Sequence, residues 1–290
     1  MDLKESLERK RFVVTSEIQP PMGIEIEELY NNIKKIRGRL DGVTVPDYEI
    51  DGVFADSFAT CNVLTENSFD PILQATCRDK TRLDLQSFLI KASEHGVKNI
   101  LAFTEDYRIS GDSLQEIMFF HVDSGKLFSV VDNLKEGLDV TGKEVENESD
   151  FFVGSGIDAS CGKNVPDLEL KEMEEVIKLG AGYFITTPVF DLDEFNKFVK
   201  VVEPFGIPVI AEVILLKSAS TAHFINRYVK HKLVPNYIIE KLAGSPQKEK
   251  ASIEIFTDII KGLKDLCQGV HLIPLGWEDR MPQFLDAANL

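Results

Sequence analysis

The amino-acid sequence predicts an α/β protein, a single-domain (β/α)8 TIM barrel that spans residues 1–290. Short apolar or β-branched runs alternate along the chain with longer amphipathic segments, as strands alternate with helices. Strands separated by helices pair in parallel, because a parallel connection needs a crossover, and eight such strands favour a closed barrel. An open doubly wound sheet is the alternative, but no GxGxxG motif follows the first strand. No Gly- or Ser-rich linker divides the chain, so we expect one domain.

The first candidate strand begins with Phe12, Val13 and Val14, which are residue types enriched in strands. Pro20 and Pro21 lie beyond its end and remove the N–H donors that a ladder needs. Similar short runs follow at intervals along the chain. The eight candidate strands are Phe12–Glu17, Gly42–Val45, Ile72–Thr76, Asn99–Phe103, Phe151–Gly156, Tyr183–Thr187, Pro208–Val213 and Gly269–Pro274.

The segments between these strands have helical periodicity. The run from Leu168 to Leu179, for example, spaces its apolar residues roughly as one helix face, with Glu and Lys between them. Asp191 or Asp193 is a candidate N-cap for the next helix. The polar stretch Asp132–Asp150 is interpreted as a long loop or hairpin before strand five. The clearest helices are Ile26–Ile36, Leu83–Glu94, Leu168–Leu179, Leu192–Val202 and Ser252–Leu266.

Composition excludes several classes of partner. The net charge is −16, whereas a nucleic-acid-binding or anionic-membrane surface needs a basic face. No apolar run is long enough to cross a membrane, and the charged N-terminus shows no secretory signal. The four cysteines form no CxxC pair, so we expect neither a metal site nor a disulfide framework. The sequence therefore predicts a soluble, cytoplasmic protein without nucleic acid or membrane partners.

Polar side chains recur at the predicted C-terminal ends of the strands, where barrel enzymes place their chemistry. A single carboxylate at a strand end is more often a solvated or helix-capping group, and His271 is more often a hydrogen-bonded core residue than a ligand. Recurrence at the same end of several strands favours one shared cavity. These residues are Glu17, Gln74, Thr76, Asp106, Thr186, Thr187 and Glu212.

Seven motifs carry a resemblance to a known family. They are "FVVTSEIQPP", "GVTVPD", "PILQATCRDKTR", "GVKNILAFTED", "LGAGYFITTPVFDLDEF", "GIPVIAEVILLKSASTA" and "GVHLIPLGWEDRMPQFL". In this order they resemble methylenetetrahydrofolate reductases, and most closely the short single-barrel form of acetogen-type one-carbon pathways. The resemblance extends from about Arg11 to Leu285.

The resemblance implies a flavoprotein oxidoreductase that reduces 5,10-methylenetetrahydrofolate to 5-methyltetrahydrofolate. FAD is the implied cofactor, with FMN as the alternative, and the flavin carries the redox chemistry. The substrate is a reduced pterin, either tetrahydrofolate or a tetrahydromethanopterin-type analogue. The resemblance does not identify the electron donor, which is either NAD(P)H or a partner subunit. It also leaves open whether the protein forms a homo-oligomer.

The resemblance also implies roles for individual residues. Glu17 matches the carboxylate of the E-x-x-P-P motif, the acid that protonates N10 of the substrate; burial would raise its pKa. Asp106 matches a catalytic aspartate beside the flavin and the pterin. The implied cofactor contacts are Thr44, Gln74, Thr76, Asp106, Tyr107 and Gly154, and the implied substrate contacts are Glu17, Thr187 and Glu212.

Several positions depart from the family pattern. Glu105 replaces the glycine before the aspartate, Gln74 replaces a flavin-contacting histidine, and Val176 replaces a lysine. Thr187 replaces a pterin-binding glutamine and Glu212 a glycine, while strand five is followed by "GSGIDAS". Three explanations compete: a reductase with an unusual flavin or pterin, a flavin-free reductase, or a non-catalytic barrel subunit of a larger one-carbon or methyl-transfer complex. The retention of Glu17 and Asp106 favours the first two.

Overall fold

The computed structural model describes residues 2–9, 11–20, 27–47, 56–76, 80–103, 124–145, 149–228 and 234–290. Eight parallel strands in these ranges follow one another around a closed barrel, and β1 pairs with β8 to complete it. This confirms the predicted fold and all eight candidate strands. They are β1 (Val13–Glu17), β2 (Gly42–Val45), β3 (Pro71–Thr76), β4 (Asn99–Phe103), β5 (Phe152–Ile157), β6 (Ala181–Pro188), β7 (Val209–Ile214) and β8 (Gly269–Ile273).

Helices surround the barrel. Those of the described residues are α1 (Leu3–Glu8), α2 (Glu27–Lys35), α3 (Ser57–Glu66), α4 (Arg82–Glu94), α5 (Ser124–Lys135), α6 (Asp167–Lys178), α7 (Leu192–Val202), α8 (Ala219–Tyr228), α9 (Asn236–Gly244), α10 (Lys248–Leu263) and α11 (Met281–Ala288). None of them combines the length and apolar character that a bilayer crossing needs.

The five predicted helices are confirmed as α2, α4, α6, α7 and α10. Asp191 is the N-cap of α7, and its side chain accepts hydrogen bonds from the backbone N–H groups of Asp193 and Glu194. The interpretation of Asp132–Asp150 as loop or hairpin is wrong at its start, because the last turn of α5 continues to Lys135. Beyond it, Leu138 and Glu144 form an antiparallel bridge, so a short hairpin is present there.

The first helix, α1, lies against the N-terminal end of the barrel. Its Leu3 and Leu7 are buried in the small apolar cluster that also contains Val13 of β1. Asp70, directly before β3, accepts a 2.9 Å hydrogen bond from the backbone N–H of Leu3. Since residues that precede strands lie at the N-terminal end, α1 covers the barrel on the side opposite its C-terminal face.

The loop between α2 and β2 contacts both ends of the chain. Asp41 accepts a hydrogen bond from Ser6 of α1 and another from the backbone N–H of Val14. Arg39, two residues earlier, forms a 2.8 Å ion pair with Asp286 of α11. It also donates a 2.8 Å hydrogen bond to the main-chain carbonyl of Leu290. Both ends are thus fixed to one short loop.

Two apolar clusters divide the interior. The larger one joins the outer faces of the strands to the helices, and the smaller one fills the N-terminal half of the barrel. Successive side chains of a strand point to opposite faces, so the inner faces of β1, β3 and β7 continue from apolar residues of the smaller cluster to Glu17, Gln74 and Glu212. That change places the polar side chains at the C-terminal end of the barrel interior.

Candidate active site

Glu17 lies inside the barrel at the C-terminal end of β1. It shares the inner face with Val13 and Thr15, because side chains alternate along the strand. Glu17 is 8% exposed. The side-chain amide of Gln74, on β3, donates a 3.0 Å hydrogen bond to Glu17 Oε2. Two residues that the sequence predicted for the site are therefore in direct contact.

The environment of Glu17 favours its protonated form. Burial is the main cause and raises the pKa of the carboxyl from 4.5 to about 7. The hydrogen bond from Gln74 lowers the pKa in part, and the negative charge of Glu278 raises it. A carboxyl with a pKa near neutrality can give up a proton at physiological pH, which is what a general acid must do.

Glu212 is a second carboxyl in the barrel interior. It lies on β7 two residues after Ile210, which belongs to the inner apolar cluster, and it is 7% exposed. Burial, followed by the negative charge of Glu17, raises the pKa of Glu212 well above its usual range. Among the described residues, no side-chain hydrogen bond to its carboxyl is seen. The two carboxyls therefore differ in that the described residues provide a side-chain hydrogen-bond donor for Glu17 and none for Glu212.

His271 lies between the strands that carry these carboxyls. It pairs in register with Thr15 of β1 and with Glu212 of β7. Its Nδ1 is 2.9 Å from Thr15 Oγ1, and burial lowers the pKa of the ring to about 3. The imidazole is therefore neutral and hydrogen-bonded, which confirms the expectation of a core histidine.

An irregularity in β6 lies opposite Glu212. The register shifts between Ile185 and Pro188, so that Pro188 pairs with Glu212 and β6 carries one extra residue. Thr186 Oγ1 donates to the carbonyl of Thr187 and accepts a 3.3 Å hydrogen bond from the backbone N–H of Glu212. Such bulges bend a strand and redirect its side chains, and they are frequent beside active sites.

Thr187, a predicted substrate contact, has partners within the protein. Its hydroxyl donates to Asp158 Oδ1 over 3.1 Å and accepts a 3.0 Å hydrogen bond from the backbone N–H of Ala159. Both partners belong to the loop after β5. The structure thus gives Thr187 a role in fixing that loop, and its contact with a substrate stays a prediction.

The threonines predicted to contact a cofactor differ in accessibility. Thr44 pairs with Glu17 across β1 and β2, and its hydroxyl is buried with no hydrogen-bond partner among the described residues. Thr76 ends β3, two residues after Gln74 on the same face, and is half-buried. Thr44 lies on the strand next to β1 and Thr76 on the strand beyond it, and their contact with a cofactor stays a prediction.

The two glycines of β5 face different surroundings. A side chain at Gly154 would overlap the ring of Tyr183, which fills that part of the barrel. At Gly156, two residues further along the same face, a Cβ would meet no atom of the described residues within 4 Å. Gly154 therefore provides space for a core tyrosine, and its predicted contact with a cofactor is untested. Gly156 borders open space at the C-terminal end.

Other predicted residues cannot be placed. Asp106 and Tyr107, together with Glu105, lie outside the described residues.

Val176 is buried on α6, where it belongs to the outer apolar cluster. Its replacement of a lysine therefore serves packing between helix and sheet.

The implied flavin can be tested against these neighbours. The unpaired hydroxyl of Thr44 and the open space at Gly156 fit a flat ligand that carries hydrogen-bonding atoms. Gln74, by contrast, already uses its amide on Glu17. The described residues thus fit a flavin through Thr44 and Gly156, whereas the space next to Gly154 is filled by Tyr183.

An ion pair that the sequence reading did not assign lies beyond the same strand ends. Asp47 follows β2 by two residues, and its Oδ2 is 2.5 Å from Lys80 Nζ. Ser57 also donates to Asp47, and burial raises the pKa of this carboxyl although Lys80 lowers it. Like Glu17, Asp47 is a carboxylate close to the C-terminal end of a strand, so the same sequence feature could have identified it. It lies within the quoted "GVTVPD" motif.

Together these features define a (β/α)8 barrel with a candidate acid–base site at its C-terminal face. The family model for methylenetetrahydrofolate reductase matches residues 2–289. The chain therefore belongs to the methylenetetrahydrofolate reductase family, as the motifs indicated.

Individual relatives are distant. The chain is 23% identical to methylenetetrahydrofolate reductase 2 of Schizosaccharomyces pombe over 219 residues, 69% of this chain. It spans about a third, 32%, of the length of that relative.

Solved structures share the fold. One is an uncharacterized protein from Clostridium thermocellum that binds two copies of 5-methyl-5,6,7,8-tetrahydrofolic acid. It has a TM-score of 0.65 and 15% identity, and the match covers 99% of this chain and 98% of that one. A 2,3-dimethylmalate lyase has a TM-score of 0.53 and 12% identity over 99% and 84% of the two chains.

Proposed function

We propose that this protein is a folate-dependent reductase that converts the methylene group of 5,10-methylenetetrahydrofolate, or of a closely related reduced pterin, to a methyl group. Membership of the family supports this reaction class. A protein of similar fold binds 5-methyltetrahydrofolate, which supports a reduced folate as the ligand here. The observation that carries the proposal is the buried Glu17 carboxyl, whose pKa burial raises to about 7.

Glu17 supplies the proton that opens the substrate. The methylene carbon is bridged between N5 and N10, and protonation of N10 lets the bond from carbon to N10 break. The electron pair of that bond stays on N10, and an iminium cation forms between N5 and the carbon. The carboxylate left on Glu17 then stabilises the nearby positive charge. This attraction is strongest in a buried site of low dielectric constant.

The hydride that completes the reduction requires a redox cofactor. A bound flavin would supply it at the iminium carbon. We propose Thr44, Thr76 and Gly156 as its contacts, with Asp106 and Tyr107 as further contacts from the family pattern. Electrons would come from NAD(P)H or from a partner subunit.

Replacement of Glu17 by glutamine tests the proposal. The amide keeps the shape and the Gln74 neighbour but gives no proton, so turnover of the methylene substrate should fall by about 10²–10⁴-fold. Reduction of the bound cofactor by its electron donor should continue at the wild-type rate, because that half-reaction opens no ring. Stopped-flow absorbance measures both half-reactions on the same sample.

Glu240→Gln on α9 is a matched control, since it makes the same chemical change at an exposed carboxylate. Equal slowing of the two half-reactions in the Glu17 variant, or no slowing of either, would remove Glu17 from the acid role.

A flavin-free reductase is the second candidate, and one contact favours it. Gln74 occupies the position of a flavin-contacting histidine, and its amide is hydrogen-bonded to Glu17. Titration of the purified protein with FAD and FMN, followed by visible absorbance, separates the two candidates. Uptake of neither flavin, with methylene reduction intact, would establish the flavin-free form.

A further inference from the structure

Glu212 is a buried carboxyl for which the described residues provide no hydrogen-bond donor. It is 7% exposed, and its backbone N–H and carbonyl are both paired with β6 and the residue after it. Its oxygens are not among the fully enclosed polar atoms that lack a partner in the described residues. A carboxyl this deeply placed is still costly for a fold when no donor meets it. Such a group in a native structure is expected to have a use.

Glu17 and His271, the titratable neighbours of Glu212, each have a hydrogen-bond partner of their own. Glu17 accepts from Gln74, and His271 is hydrogen-bonded to Thr15 through Nδ1. Neither titratable neighbour is seen to contact the Glu212 carboxyl. Within the part of the chain that the structure describes, this carboxyl is therefore left without a donor, and a ligand in the barrel could supply one.

Specific backbone features hold Glu212 in place. The extra residue in β6 lies directly opposite it, and Thr186 holds its backbone N–H. Gly156, on the strand beyond β6, leaves open space at the same end of the barrel. The carboxyl is therefore held on a rigid strand beside the acid Glu17 and close to an open part of the C-terminal face.

We propose that Glu212 binds the 2-amino-4-oxopyrimidine edge of the reduced pterin. This edge presents two parallel N–H donors, from N3 and from the 2-amino group, which match the two oxygens of one carboxylate. Two such hydrogen bonds favour the charged form of Glu212 and oppose the effect of burial, which raises its pKa. The inference rests on the proposed function and adds a pterin-recognition residue to it. It gives the two buried carboxyls separate tasks: Glu17 serves the reacting nitrogen and Glu212 orients the ring.

A pair of small probes tests this contact directly. Pterin carries the 2-amino group, whereas lumazine has the same bicyclic ring with a carbonyl oxygen in its place. That oxygen would face the Glu212 carboxylate as a second acceptor. Each probe competes with 5-methyltetrahydrofolate for the purified full chain, and isothermal titration gives the two affinities.

We expect wild-type protein to prefer pterin over lumazine by about tenfold to a hundredfold, the usual effect of hydrogen bonds to a charged group. In Glu212→Ala this preference should disappear. Glu212→Gln should keep only part of it, because an amide accepts one of the two hydrogen bonds. Glu240→Gln should behave as wild type.

Two results overturn the inference. Equal binding of both probes to wild type, or an unchanged preference in Glu212→Ala, would show that Glu212 does not contact this edge. If 5-methyltetrahydrofolate still binds in those cases, the proposed function stands without it. Failure of wild type to bind 5-methyltetrahydrofolate would overturn both. Urea unfolding of each variant confirms that it is folded, and Glu212→Gln preserves the packing if the alanine variant is unstable.

Discussion

The two interior carboxyls show how neighbouring residues of one type acquire different properties. Glu17 and Glu212 lie on strands that flank β8, and both are buried. Gln74 donates to the first and thereby favours its charged form, although burial has the larger effect. The second has only the repulsion of Glu17 and its own desolvation. Glu17 therefore gives up its proton more readily than Glu212 does.

The raised pKa of Glu17 makes stability depend on pH. Below 4.5 the carboxyl is protonated in folded and unfolded chains alike and costs nothing. As pH rises towards about 7, the unfolded chain releases the proton first, so stability falls. A rise in pKa from 4.5 to about 7 corresponds to about 3 kcal/mol.

Glu17→Gln should remove this loss. The variant and wild type should be equally stable near pH 4.5, and the variant should be more stable by up to about 3 kcal/mol at pH 8. Urea unfolding at a series of pH values measures the difference, with Glu240→Gln as the exposed control. A difference between Glu17→Gln and wild type that does not change with pH would contradict the raised pKa.

The sequence predicted which residues belong to the candidate site, but it could not predict which of them are hydrogen-bonded to each other. Glu17, Gln74 and Glu212 were found because each follows apolar residues late in a strand. The hydrogen bond between Gln74 and Glu17 joins residues 57 positions apart, and it depends on barrel curvature. Asp47 was missed because its ion pair with Lys80 forms only after β2 and β3 have paired.

At the scale of elements, β5 illustrates how one strand serves both packing and site. Gly154 and Gly156 share its inner face. The ring of Tyr183 occupies the space next to the first, whereas the second borders open space. The strand thus changes from core to cavity wall within two residues.

Alanine at each glycine should separate these roles. Gly154→Ala should destabilise the protein by about 1–3 kcal/mol, because the methyl group would overlap a fully buried ring. Gly156→Ala should leave stability unchanged or raise it by up to about 1 kcal/mol, since alanine restricts the unfolded chain. Thermal and urea unfolding compare the two variants. Similar destabilisation by both would show that Gly156 does not border free space.

Helices were harder to predict than strands. The strands are short apolar runs whose composition alone distinguishes them. Helix α3, by contrast, contains Thr60, Val63 and Thr65, which are poor helix formers, and it is held by the Asp56 cap and by packing. Helix α1 has only six residues and many charges, so its two buried leucines were not recognised. Both were missed because tertiary contacts, more than local preference, stabilise them.

For the whole molecule, closure of the N-terminal end is expected to matter for stability. Leu3→Ala would leave a cavity beneath α1, where the side chain is fully buried, and should cost about 2–5 kcal/mol. Leu83→Ala on α4 is the control, since that leucine is 62% exposed and should cost far less. Urea unfolding measures both, and equal effects would mean that α1 does not close the barrel. Substrate affinity should not change, because the site lies at the opposite end.

The loop that joins α2 to β2 has a practical consequence. Its Asp41 accepts a hydrogen bond from Ser6 and its Arg39 donates one to Leu290, so α1 and the last residue of this chain lie together at the N-terminal end of the barrel. A tether or fluorescent label attached at either end would leave the mouth of the barrel facing solution. Molecules immobilised on a sensor chip by one end or by the other should then capture the same ligand with the same on-rate.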